Sequence, residues 1–156
     1  MTGHRWDVSP KEARSLQEGL RSRRILTDSF DPLTHVGGVD VAYGLKSDLG
    51  CCAIAVFSYP HLCLQEVSRV FGSIRFPYIP GLLAFREGPL VEQAFGQLTI
   101  RPEILLFDGH GISHPRGMGI ATYMGILLEC ASIGCAKTLL TDTFEDPAPK
   151  RGSATP

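Results

Sequence analysis

Between residues 35 and 73 the chain carries three apolar runs, "HVGGVDVAYG", "CCAIAVFS" and "LCLQEVSRVFGS", separated by "LKSDLG" and "YPH". The runs are rich in Val, Ile, Phe and Cys and the connectors in turn formers, which predicts an antiparallel three-strand meander. In the first run Val39, Val41 and Tyr43 alternate with Gly38, Asp40 and Ala42, so Asp40 is expected on the strand face lined by small residues.

Helical spacing flanks the meander on both sides. "SPKEARSLQEGLRSRRIL" offers Ser9 as N-cap and Pro10 at the first helical position, giving a charged surface helix whose Arg21, Arg23 and Arg24 read as a solvated face. "LLAFREGPLVEQAFGQL" is helical on either side of Gly88-Pro89. Proline lacks the backbone donor and biases the residue before it away from the helix, so one helix is expected to end near Glu87 and another to start at Pro89. "PEILLFD" then reads as a buried strand, "GHGISHPRG" as a loop, "MGIATYMGILLECA" as a helix and "SIGCAK" as a strand, together a right-handed βαβ unit. Asp108 falls at the carboxyl end of its strand, where open α/β sheets place ligands. Three prolines and little periodicity after Thr141 predict a loop or disordered tail over 141–156, beyond a single domain over 1–140.

Composition narrows this picture only a little. A hydrophobic content of 44% in 156 residues supports one globular core, whereas 15 Lys and Arg against 16 Asp and Glu neither announce nor exclude a nucleic-acid partner. Cys51, Cys52, Cys63, Cys130 and Cys135 form no C-x-x-C pair and sit in apolar surroundings, which predicts five reduced, buried thiols. No charged start precedes an apolar signal core, and the apolar runs are too short or interrupted to span a bilayer, so the expectation is a cytoplasmic protein without membrane contact.

Asp40, Glu87 and Asp108 each have a bland reading alone: a strand bulge, a helix cap, an Asp-Gly turn. Taken together, their placement on the meander, the helix break and the later strand end could bring three carboxylates to one sheet edge. Such a cluster repels itself unless a divalent cation neutralises it, and all-oxygen ligands favour hard Mg²⁺, with Mn²⁺ as substitute. Zinc is poorly supported, because His110 and His114 are separated by Gly-Ile-Ser without the H-E-x-x-H spacing. One of the two is expected to orient a phosphate or water, with His114 favoured because Pro115 and Arg116 fix its setting.

The stretches "GGVDVAYG", "PYIPGLLAFREGP", "FDGHGISHPRGMGIA" and "IGCAK" resemble, in order and over about residues 36 to 137, the endonuclease V family of metal-dependent nucleases acting at inosine in nucleic acids. The resemblance implies an α/β, ribonuclease-H-like mixed sheet, the antiparallel meander followed by parallel strands, with flanking helices. It implies Asp40, Glu87 and Asp108 as ligands of the catalytic metal, Lys137 as a residue near the site, and Pro77, Tyr78, Ile79 and Pro80 as a wedge entering the duplex beside the lesion, with Gly81 next to it as a further nucleic-acid-binding residue. For Tyr78 the competing reading is a core tyrosine beside a turn. Gly109 and Gly111, with His114, would line the approach of an extruded base. The implied partner is inosine-containing DNA, or RNA, cut on the 3′ side of the lesion in repair.

Family members continue past "IG-x-AK" with two strands and a closing helix bearing a "GH" histidine, so the resemblance also implies a chain without its C-terminal part. This makes two further functions worth weighing: an impaired, non-catalytic binder of inosine-containing nucleic acid, and a ribonuclease-H-like nuclease with no inosine preference. A monomer is expected, with self-association if the sheet is left uncovered.

Overall fold

The computed structural model describes residues 3–28, 32–44, 47–140 and 145–155. Helix α1 spans Pro10–Leu20 and runs into a 3-10 turn at Arg21–Arg23. Ser9 caps it and Pro10 opens it; Glu12 completes a capping box by reaching back to the Ser9 amide at 2.8 Å. The helix is less solvated than its charge pattern predicts, because Ala13 and Gln17 are fully enclosed. Arg24, beyond it, donates to the Gly117 carbonyl at 3.2 Å.

Strands β1 (His35–Tyr43), β2 (Leu49–Ser58) and β3 (Leu64–Ser73) form the antiparallel meander. β4 (Ile104–Phe107) and β5 (Ala131–Gly134) add in parallel beyond β1, giving one mixed sheet ordered β3-β2-β1-β4-β5. β5 is shorter than "SIGCAK": pairing ends with the Cys135 amide on the Phe107 carbonyl at 2.9 Å, so Lys137 lies in the bend beyond. Helix α3 (Ile120–Leu128) joins β4 to β5. Residues 145–155 contain a turn closed by Ser153 on Lys150 but no helix or strand; 141–144 and 156, also assigned to the tail, lie outside the described residues.

The expected break in the second helix does not occur. Helix α2 is continuous over Leu83–Gln97 with Pro89 inside it, so Glu87 sits within a turn of helix rather than at a terminus. An interior proline costs about 3 kcal/mol. Burial of Phe85, Leu90 and Val91 on the sheet-facing side offsets it, since each such side chain contributes ~1.5–3 kcal/mol.

The core lies between the helices and one face of the sheet, where Val39, Val41, Cys52, Ile54 and Val56 meet Phe85, Val91, Tyr123 and Met124. The opposite face carries Gly38, Asp40, Ala53, Ala55, Leu106 and Phe71 in register, and no described helix covers it. The cysteines correct the composition-based expectation. All five are free, but only Cys52 is buried; Cys51 and Cys130 are partly covered, and Cys63 and Cys135 are exposed. The last two lie outside the strands, Cys63 before β3 and Cys135 just after β5, where no facing layer encloses them.

Candidate active site at the ends of strands β1 and β4

Parallel pairing of Val39 with Phe107 brings the next residues of the two strands, Asp40 and Asp108, to adjacent positions; the Asp108 amide donates to the Val39 carbonyl at 3.3 Å. Both line a shallow cleft of about 440 Å³ on the open face, floored by Gly38, Ala53 and Ala55 and bounded by Cys135. Small residues on the flanking strands leave this space, as the alternation in β1 predicts.

Glu87 approaches from α2 on the helical side and is only 8% exposed. Burial pushes its carboxyl up to about 7; the Tyr43 hydroxyl, which donates to Oε1, pulls it back, and the charges of Asp40 and Asp108 push it further up. The three acids therefore feel one another, although Glu87 comes from the other side of the sheet. Asp40 Oδ1 accepts from the Val41 amide at 2.8 Å, and Asp108 Oδ2 from Lys137 Nζ at 2.6 Å. Among the described residues no three His, Cys, Asp or Glu side chains are gathered closely enough to hold an ion as they stand. In kind the donors suit a hard cation, all being carboxylate oxygens: Asp40 and Asp108 adjacent on the open face and Glu87 desolvated on the helical side.

Lys137 is exposed, and its ammonium is held above the ordinary lysine range by the hydrogen bond and charge of Asp108. Tyr43 and Arg86, which carried no signal of their own in the sequence, complete the surroundings of Glu87. Arg86 stacks 4.8 Å over the Tyr43 ring and donates to the Phe76 carbonyl at 2.7 Å.

Residues 77–81 form a projecting loop in which Tyr78 is 71% exposed, not a core tyrosine. Ile79 packs partly against the core, and its carbonyl accepts from the Leu82 amide at 2.9 Å. With Pro80 in the first central position and Gly81 at φ +78° in the second, the loop closes as a type II turn. In the 109–119 corner, Gly109 is required by close approach: a Cβ there would lie 2.6 Å from Ile120 Cγ2. Left-handed backbone occurs in this corner at Gly117, φ +63°, and not at Gly109 or Gly111.

His110 sits beside Lys137 in a second recess of about 320 Å³ that includes Gly111 and Gly134, and its Nε2 lies 2.7 Å from the Thr138 carbonyl. His114 is 6% exposed; its Nε2 meets the Gly81 carbonyl at 3.0 Å and its Nδ1 the Arg116 amide at 3.1 Å. The structure thus brings Asp40, Asp108 and Lys137 together, leaves Glu87 on the helical side and outside one gathered cluster, keeps Tyr78 at a separate projecting tip, and turns His114 inward.

A family model described as Endonuclease V matches residues 18–156. A curated Endonuclease V of Roseiflexus sp. is 43% identical over 97% of this chain, which spans 67% of that protein. The crystal structure of Endonuclease V from Streptomyces avermitilis superposes with a TM-score of 0.88 at 40% identity, over 97% of this chain and 67% of that one. Endonuclease V of Ciona intestinalis, solved with a 23mer DNA containing an inosine followed by a ribo-adenosine, gives a TM-score of 0.78 at 30% identity, over 85% of this chain and 60% of that one. The chain spans about two thirds of the relatives it matches, and with the family model covering residues 18–156 and the 43% identity over nearly its whole length, it belongs to the endonuclease V family.

Proposed function

We propose that this chain carries the active site of a metal-dependent endonuclease that hydrolyses a phosphodiester bond on the 3′ side of inosine, one nucleotide removed, leaving a 5′-phosphate, in the repair of deaminated adenine. The observation that carries this reading is the adjacency of Asp40 and Asp108 at the ends of two parallel strands, with the desolvated Glu87 responding to both. These three would hold a magnesium ion, manganese being a substitute. Such an ion, when bound, supplies charge neutralisation at the phosphate and a water of lowered pKa.

The chain's own groups do the rest. Asp40 and Asp108 orient the site from the open cleft, and the Lys137 ammonium, 2.6 Å from Asp108, stabilises negative charge developing on the phosphate. Tyr78 offers a stacking face on a loop stiffened by Pro77 and Pro80. Its insertion costs a few kcal/mol of unstacking, offset by the contacts of the extruded base. Gly109 and Gly111 bring backbone close to that base, where an N–H facing position 6 donates to the carbonyl of hypoxanthine but meets a second donor in the amino group of adenine. His114, turned inward, serves by holding the Gly81 turn. Inosine-containing DNA is the substrate supported by the Ciona relative, with RNA as the alternative.

The test is cleavage of an end-labelled inosine oligonucleotide with Mg²⁺. Wild-type chain is expected to cut one nucleotide 3′ of inosine and spare the adenine control. Asp40→Asn should lose cutting by about 10²-fold or more while keeping its melting temperature; cutting at the normal rate removes Asp40 from the chemistry. The absence of a gathered three-acid cluster among the described residues favours one second reading, a binder that does not cut. Binding of the same oligonucleotide in Ca²⁺, with no product in Mg²⁺, selects it.

A further inference from the structure

The carbonyl of Gly81, just after the Tyr78 tip, receives three donors from distant parts of the chain: Gln17 Nε2 at 3.0 Å, Arg116 Nη2 at 2.8 Å and His114 Nε2 at 3.0 Å. Gln17 is the centre of this arrangement. It is 1% exposed on α1, its Nε2 also donates to the Met118 carbonyl at 2.9 Å, and its Oε1 accepts from Arg116 Nε at 2.7 Å. Both ends of one buried amide are thus spent on tying a single surface turn to the glycine corner. A buried polar group needs partners, but an apolar residue of the same length would have filled the space without any. Glutamine is required here by what it holds.

What it holds is the direction in which the tip leaves the molecule. The Gly81 peptide is the second half of the type II turn, and the same amide grips Met118 in the corner that follows Asp108. Fixing both at once sets the position of Tyr78 relative to the cleft. We infer that Gln17 is a positioning residue for the Tyr78 tip, coupling α1 to the direction in which the tip projects. This rests on the nucleic-acid reading given under Proposed function. It adds a residue just outside the 18–156 span that the family model matches.

Two variants of the full 156-residue chain test it. Gln17→Met keeps length and volume and removes every hydrogen bond; Gln17→Glu keeps an acceptor for Arg116 and removes both donors, so it serves if the methionine variant does not fold. Amide exchange at Leu82, whose N–H closes the turn, is expected to speed up roughly tenfold relative to Ile54 in the core. With Mg²⁺, the ratio of kcat/KM on an inosine duplex to that on the inosine single strand is expected to fall about tenfold, because only the duplex needs a placed wedge. Unchanged exchange at Leu82, or equal loss on duplex and single strand, overturns the inference and leaves Gln17 a core residue. If wild type cuts neither strand, the nuclease reading has failed, and exchange at Leu82 alone decides whether Gln17 fixes the turn.

Discussion

Neutral His114 is fixed in one tautomer by its neighbours. Its Nδ1 faces the Arg116 amide and must accept, which leaves Nε2 to carry the hydrogen donated to Gly81. Burial holds its pKa below the usual histidine value of 6.5, with Arg116 and His110 pushing the same way. The unfolded chain therefore binds this proton more readily than the folded one. The contribution of His114 to stability is complete above about pH 6.5 and is lost as pH falls through its lower folded value. Glu87, raised to about 7, acts in the opposite sense by taking up its proton in the folded state over the same range. The difference in melting temperature between wild type and His114→Gln, not the wild-type value alone, should therefore fall between pH 7.5 and 5.5. His4, also held low by burial, acts in the same direction in both proteins and cancels in that difference. At this scale the sequence is least informative. Asp40 and Asp108 were legible from strand phase and strand end, but a glutamine on a charged amphipathic helix has no mark of burial, and the partners of Gln17 lie 64 to 101 positions away.

At the level of elements, α2 shows how packing overrides local preference. Gly88 creates a notch in the helix into which the indole of Trp6 fits: a Cβ there would lie 2.2 Å from Trp6 Cη2, and the indole N–H donates to Glu92 at 2.8 Å. Trp6 also meets Phe85 and Tyr123 in an aromatic cluster with His4. The Gly-Pro pair that reads as a helix end is thus a docking notch followed by a tolerated proline. Since Trp6 is the sole tryptophan, Gly88→Ala should shift the emission of the folded protein to longer wavelength. It should also lower stability by about 1–3 kcal/mol in urea titration, the usual cost of overpacking. The meander, by contrast, was readable because period-two alternation and turn residues agree with the final pairing from Val36 opposite Phe57 to Tyr43 opposite Gly50.

At the scale of the whole molecule, the described helices cover one face of the sheet, and among the described residues the other carries, besides the acidic cleft and Arg69, exposed apolar side chains. Phe71 on the outermost strand is 76% exposed, opposite Cys51 and in the same face as Leu106 and Ile133. A surface of this kind favours association. Sedimentation of the 156-residue chain should show weight-average mass rising with concentration, and Phe71→Lys should flatten that rise without changing the melting temperature by more than about 2 °C.

The triple clasp on the Gly81 carbonyl also imposes an order in time. Gln17 and Tyr78 leave the ribosome well before His114 and Arg116, so a nascent polypeptide ending short of residue 114 has the projecting loop but only one of the three donors that hold its turn. Completion of the clasp is thereby deferred until Asp40 and Asp108 have already been synthesised.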